Sequence, residues 1–363
     1  MTPAEPELPH TDQLGRATLR TIAALAGVSA STVSRVLHPG TKNQGRATAA
    51  RTEARIRETA ERVGYVPNPH AASLRTQRSS LIGVLVPRLS DLVLATIYEG
   101  IDDAAGSAGY QTFVANTHDD PRAQRTRAEM FLSRHVDGLI LGDSHADHQL
   151  ADSLHARHVP FVLVNRHAGE YPAVTCDDVI GGRLAAEHLL QLGHTRVAVI
   201  AGEPYASTGI DRTAGFAEIY ATAGHPVAAE DIVHSSFDVA GGRHAAEQLL
   251  RQSSPPTAIF AVNDFAAIGV LGVIRDYGLT PGTDIAVVGY NDVSVAANLP
   301  IPLTTIRSPM KEMGRRAVEL LISLLAGNLV NSVRLPPVLV PRATTSPALG
   351  RTPWANRMPA EVK

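Results

Sequence analysis

Two patterns of apolar and polar positions divide the chain. From Thr18 to Leu37, Leu19, Ile22, Ala23 and Ala26 repeat at helical spacing, and Gly27 interrupts them where a turn with positive φ is needed. Ser29 is placed to cap a second helix whose apolar side is Val33, Val36 and Leu37. The small residue at 23, the glycine at 27 and the valine at 33 suit two short helices crossing tightly, a helix-turn-helix. A third helix is expected from Thr52 to Val63, closed by Tyr65 and Pro67.

From Leu81 the pattern changes to short apolar runs separated by amphipathic stretches. Strands are predicted at Leu81–Val86, Thr112–Ala115, Gly138–Leu141, Phe161–Val164, Val197–Ala201, Ala258–Val262 and Ile285–Gly289. Near-continuous apolar strands with helical crossovers imply parallel sheet covered on both faces, and this length implies two α/β lobes. The expected organisation is an extension at 1–17, an all-α head at 18–67, a linker at 68–79, a two-lobed α/β body at 80–345 and a tail at 346–363.

Composition and charge sharpen this. The chain has 363 residues, 44% of them apolar and 19% charged, as a globular protein would. No run approaches the roughly 18 apolar residues that a membrane helix requires. Met1–Leu14 is acidic and Pro-rich, unlike a signal peptide, and Cys176 is the only cysteine. These features point to the cytoplasm, at the nucleoid, with no membrane partner. The net charge of −2 conceals an asymmetry: residues 16–78 hold eleven basic and three acidic residues, the remainder −10. A basic head on an acidic body suits a polyanion-binding module carried by a body that does not bind polyanions.

The second helix of the head presents Ala30, Ser31, Thr32, Ser34 and Arg35 outward. In a major groove an arginine grips guanine bidentately, and small hydroxyls reach phosphates or bases. Thr18 and Ser29, at the two helix starts, join the candidate double-stranded-DNA set.

In open α/β sheets ligands bind beyond the carboxyl ends of strands. Those ends carry Asn165-Arg166, Asn263-Asp264 and Tyr290-Asn291-Asp292, with Arg212 opening a helix after the strand at 197. Amides and an arginine converging on a cleft suit hydroxyl or carboxylate recognition. Asp264 and Asp292 are expected to cap helices. An internal echo, DVIGGRLAAEHLL at 178–190 and DVAGGRHAAEQLL at 238–250, suggests Asp178 and Asp238 as N-caps, with paired glycines that pack each helix start close to the sheet. Asp143, His145, Asp147 and His148 cluster without helical metal-ligand spacing and read as a solvated loop. No nucleophile-base order, phosphate loop or metal motif appears, so no catalytic residue, metal or cofactor is expected. A transport solute-binding protein would explain the body but not the basic head.

The words AALAGVSASTVSRVL, VGYVPNPHAASLRT and LIGVLVP resemble the LacI/GalR family of bacterial repressors, and the match runs nearly to Arg342. The resemblance implies a ligand-responsive transcriptional regulator, not an enzyme, that binds a near-palindromic operator as a homodimer or tetramer. Ala30 and Ser31 then tune the operator sequence and Arg35 reads a base. Pro69–Arg75 becomes a hinge helix that folds on DNA, with Leu74 wedged into the minor groove and Asn68, Ala71 and Arg75 as further DNA contacts. The body becomes periplasmic-binding-protein-like, with the chain crossing between lobes near Asp177, Arg307 and Val338. Arg212, Asn263 and Asn291 match the family's contacts to a small polar effector, sugar-like or another metabolite. Phe237 matches an aromatic that stacks on it, and Asp91, Val93 and Asn165 fall at further contact regions. Met313–Leu325 and the first helix of the body are candidates for the dimer face. Three departures stand out. The loop starting at His38 is about five residues longer than usual, Asp91-Leu-Val-Leu94 replaces a common Asn-Pro-Phe-Phe, and Asn291 replaces a common Asp.

Overall fold

The structure, a computed structural model, describes residues 17–37, 50–65 and 78–348. The chain separates into two compact units between Gln77 and Arg78. Asn68, Ala71, Leu74 and Arg75 lie outside the described residues, as does most of the long loop after His38.

The head is a three-helix unit. Helix α1 (Leu19–Ala26) starts at Thr18, whose side chain accepts from the Thr21 N–H while Thr21 returns the bond in a capping box. Gly27 ends it at φ 59°, the left-handed conformation that glycine adopts without penalty. Helix α2 (Ala30–Leu37) is capped by Ser29, whose Oγ accepts from the Thr32 N–H at 3.2 Å. Helix α3 (Ala50–Arg62) starts two residues earlier than expected. Ile22, Ala23, Ala26, Val33, Val36, Ile56 and Ala60 form its core.

The body consists of two sheets. The first lobe runs through β1 (Leu81–Val86), α4 (Leu92–Ser107), β2 (Gln111–Asn116), α5 (Pro121–Ser133), β3 (Gly138–Leu141), α6 (Gln149–Ala156), β4 (Phe161–Val164) and β5 (Ala173–Cys176). The chain then enters the second lobe through α7 (Asp178–Gln191), β6 (Val197–Ile200), α8 (Ser207–Thr222), β7 (Ile232–Val233), α9 (Val239–Leu250), β8 (Ala258–Ala261), α10 (Asp264–Asp276), β9 (Ala286–Asn291) and β10 (Thr304–Arg307). It returns to the first lobe for α11 (Met310–Leu325) and β11 (Val333–Leu335), and crosses again to β12 (Val338–Val340). The sheet orders are β11-β5-β4-β3-β1-β2 and β12-β10-β9-β8-β6-β7. All pairs are parallel except β10 with β12. The three crossings fall beside Asp177, Arg307 and Val338, where the resemblance places them. Five strands, β5, β7, β10, β11 and β12, escaped the apolar pattern because they are short or carry polar residues inward. Among the described residues no helix is long and apolar enough to cross a membrane.

Helix pairs pack through reciprocal glycines. A Cβ on Gly182 of α7 would lie 2.1 Å from the Arg212 carbonyl of α8, and one on Gly215 of α8 would lie 2.1 Å from the Val179 carbonyl of α7. Gly242 and Gly269 hold α9 against α10 in the same way. The second glycine of each echoed pair thus faces a neighbouring helix, which corrects the expectation that it faces the sheet.

Gly215→Ala forces backbone apart and should cost about 1–3 kcal/mol or more. Gly106 of α4 is exposed with nothing within 4 Å of its ideal Cβ, so Gly106→Ala should add about 0.5–1 kcal/mol through helix propensity. Urea denaturation of the two variants checks the opposite signs. Equal effects would contradict the close-approach argument.

Candidate functional site

The α2 surface of the head is built by its core. Val33 and Val36 face inward, which leaves Ser31 and Arg35 exposed and Ala30, Thr32 and Ser34 half-buried on the outer side. Ser29 Oγ lies 2.9 Å from both Ser31 Oγ and Thr32 Oγ1, forming a hydroxyl cluster at the helix N-terminus. Arg35 makes no ion pair with a described residue, so its five donors remain available. Thr18 serves as the α1 cap. A helix N-terminus with hydroxyls and an unengaged guanidinium suits phosphate and base-edge contacts.

In the body, Arg212 of α8 is among the most deeply buried of the predicted ligand residues. It is 3% exposed and its Nε donates to Asp178 Oδ1 at 2.7 Å. Its Nη1 donates to the Val262 carbonyl at 2.7 Å, and its guanidinium lies 3.7 Å from the Tyr290 ring centroid. Burial pushes the Asp178 carboxyl up, and Arg212 beside it draws it back. Arg212 therefore has a structural explanation that was invisible from local pattern. Asp178 is not a cap; Asp177 is, accepting from the Ile180 N–H at 3.2 Å. Its echo Asp238 does cap, accepting from Gly241 at 2.8 Å.

The other predicted residues gather at the same strand ends with different employment. Asn263 caps α10 through Oδ1 and holds the Phe237 carbonyl through Nδ2 at 2.7 Å. Asn291 sits at φ 101°, buried, and its Nδ2 has no hydrogen-bond partner. Asn165, also buried, has φ 67°. Phe237 is half-buried beneath Arg166, 5.8 Å from ring centroid to guanidinium carbon. Asp91 caps α4 by accepting from Val93 N at 2.9 Å. Burial raises its carboxyl, while the Val93 N–H and the charges of Arg166 and Arg212 draw it back down. Val93 is packed in the core and does not join the polar group.

Two further expected caps are corrected. Asp264 accepts from Val293 N at 2.8 Å and Thr305 Oγ1 at 2.6 Å, and burial pushes its carboxyl up to about 7. Asp292 instead pairs with Arg307 at 2.8 Å and Arg342 at 2.7 Å. The loop after β3 is not uniformly solvated: Asp143 is fully buried, its carboxyl raised to about 6 mainly by burial. Among the described residues no three metal-ligating side chains are grouped to hold an ion.

Sequence reasoning passed over the contacts that join the lobes. The Ala146 N–H donates to the Tyr205 carbonyl at 2.9 Å, and the His167 N–H donates to Ser207 Oγ at 2.9 Å. His167 Nε2 lies 2.8 Å from Asp211 Oδ2, and that hydrogen bond raises the imidazole pKa. Arg166 pairs bidentately with Asp119 at 2.7 and 3.1 Å. The signal for Arg166 was present, since it follows Asn165 at a strand end; partners 40 to 59 residues away give no local signal.

Removing Arg212 leaves Asp178 buried without a counter-charge. Arg212→Ala should therefore cost the body about 3–5 kcal/mol, and the double variant Arg212→Met, Asp178→Asn should recover more than half of it. Urea denaturation of the full chain reads this. An Arg212→Ala protein as stable as the parent would contradict the pairing.

Comparison with known proteins fits this architecture. Residues 18–68 match the model described as bacterial regulatory proteins, lacI family, and residues 186–345 match the periplasmic binding protein-like domain. The chain is 31% identical to the HTH-type transcriptional regulator DegA of Bacillus subtilis, over 92% of this chain and 99% of that protein. It is 32% identical to the HTH-type transcriptional regulator CelR of Thermobifida fusca, over 88% of this chain and 95% of that one. Among solved structures, the lac repressor dimer bound to operator and the anti-inducer ONPF aligns with TM-score 0.83 at 29% identity, covering 91% of this chain and 99% of that one. The CelR–cellobiose complex aligns with TM-score 0.69 at 29% identity, covering 91% and 100%. With its helix-turn-helix head and two-sheet body, the chain belongs to the lacI family of bacterial transcriptional regulators.

Proposed function

We propose that this regulator is a cytoplasmic repressor that binds a near-palindromic operator as a dimer, and that a small polar effector held between its lobes changes that binding. The observation that carries the DNA half is the outer face of α2, where Ser31 and Arg35 stand exposed above the Val33–Val36 core. One helix this short offers too little area for tight specific binding, so two heads related by two-fold symmetry supply it. By family likeness, Leu74 supplies a minor-groove wedge from each hinge, and Ala30 and Ser31 tune the half-site.

The effector half is supported by the polar residues at the strand ends of both lobes, Asn165, Asn263 and Asn291 among them. Related structures hold cellobiose or the anti-inducer ONPF, which fits a saccharide-sized occupant. Arg212 then acts from the floor: its Nη2 makes no hydrogen bond with a described residue, and Asp178 and Tyr290 fix its plane. By family likeness, Asp91, Asn165 and Phe237 add further contacts to the effector.

Selection from a random duplex pool should return a near-palindromic site protected over both halves. Arg35→Ala should then lose about 1–3 kcal/mol on that site, roughly 5–150-fold, and far less on random duplex. Equal losses on both, or protection of one asymmetric half-site at saturation, would contradict the proposal.

A further inference from the structure

His167 belongs to lobe one, in the loop that leaves β4, and it grips one helix of lobe two with both its main chain and its side chain. Its N–H donates to Ser207 Oγ at 2.9 Å, and its ring Nε2 lies 2.8 Å from Asp211 Oδ2. Ser207 and Asp211 are four residues apart in α8, so they stand one turn apart on the same face of that helix. The Ala146 N–H, from the loop after β3, donates to the Tyr205 carbonyl just ahead of α8 at 2.9 Å. Two separate loops of lobe one therefore hold the start of α8.

The bond from the imidazole differs from the two amide bonds, because the ring gains a charge near neutral pH. A neutral ring gives Asp211 an ordinary hydrogen bond, whereas an imidazolium gives it a charge-assisted bond about twice as strong. The side chains of His167 and Asp211 are 39% and 26% exposed, which leaves protons a path to the ring while part of the pair is sheltered from screening.

The charged groups facing the ring are Asp211 of α8, Asp178 of α7 and Arg334 of β11. The hydrogen bond to Asp211 is the largest influence and raises the imidazole pKa. Partial burial and Arg334 oppose it, the charges of Asp211 and Asp178 add to it, and the balance is upward. A ring drawn away from Asp211 loses that hydrogen bond, so the paired arrangement binds a proton more tightly than a separated one. By linkage, this contribution is fully present below the pKa of the separated ring and is lost as pH rises through the raised value.

We propose that His167 and Asp211 form a proton-strengthened latch between the lobes, so that acidification holds lobe one against the first turns of α8 and mild alkali loosens it. The latch concerns the two lobes alone and requires no effector, so it stands or falls separately from the effector reading. Asp143, three residues before Ala146, is the group to separate from it, because burial raises its carboxyl to about 6, near the same range.

The two amides that cross the seam report the latch. Hydrogen–deuterium exchange of the full chain, read by mass spectrometry at pH 6 and pH 8 and corrected for intrinsic exchange rates, follows the protection of Ala146 and His167. Gly142, which donates to Leu85 within lobe one, and Val262, which donates to Ile200 within lobe two, are the controls. Protection at Ala146 and His167 should be at least roughly threefold higher at pH 6 than at pH 8, the effect of about half a pKa unit, with no matching change at the controls. His167→Gln and Asp211→Asn each keep a side chain able to hydrogen-bond and remove the charge, so each should abolish the difference. Protection in the parent that is equal at the two pH values overturns the latch. A difference that persists undiminished in both variants belongs to Asp143 and overturns it as well. Should one variant fail to fold, the other decides.

Discussion

Arg212 enters the interior only because Asp178 is there to receive it. A lone guanidinium in this environment would cost several kcal/mol, and the pair is tolerable because its geometry is complete. One nitrogen meets the carboxylate, another meets the Val262 carbonyl, and the Tyr290 ring lies against the charged plane. These contacts tie α7, α8 and the ends of β8 and β9 to one another, beside the first crossing of the chain between lobes. Neighbouring residues conform to the arrangement. A Cβ on Gly181 would lie 2.0 Å from the Tyr290 hydroxyl oxygen, and one on Gly182 would strike the Arg212 carbonyl. The glycine pair is thus part of the ion-pair site.

Arg212 and Asn263 of lobe two are largely satisfied by the protein, whereas Asn291 of lobe two and Asp143, His145 and Arg166 of lobe one retain unpartnered atoms. The direct lobe-to-lobe contacts set Tyr205 against Asp119 and His145, and His167 against Ser207 and Asp211. A ligand shifts the relation of the lobes only through a difference in how it binds their alternative arrangements. These are the contacts through which such a difference would act.

Much of the fold was legible because buried parallel strands read as apolar runs. All seven predicted strands exist within two residues of their expected ends. Strand β10 was illegible for a physical reason: Thr304 and Thr305 are fully buried, yet their hydroxyls bond to the Arg342 carbonyl and to Asp264, so polar letters hide a core strand. The site was legible as a place more than as a set of roles. Strand ends pointed to Asn165, Arg212, Asn263 and Asn291, but the Asp178 and Val262 partners of Arg212 and the Phe237 carbonyl held by Asn263 are distant in sequence. Asp178 and Asp238 show the limit, since near-identical local words give one buried ion-pair partner and one helix cap. Asp143 was hidden likewise, because a polar loop word does not reveal that Thr117, Gln124 and Arg166 close over it.

The central claim is that the seam and the DNA-binding head belong to one thermodynamic system. The direct measurement is operator affinity of the full chain by fluorescence anisotropy, without and with a saturating effector, paired with effector affinity without and with saturating operator. The account predicts a change of roughly 5–150-fold in operator affinity, about 1–3 kcal/mol, and the same factor in ligand affinity. An operator affinity unchanged by a ligand shown to occupy the seam would contradict it.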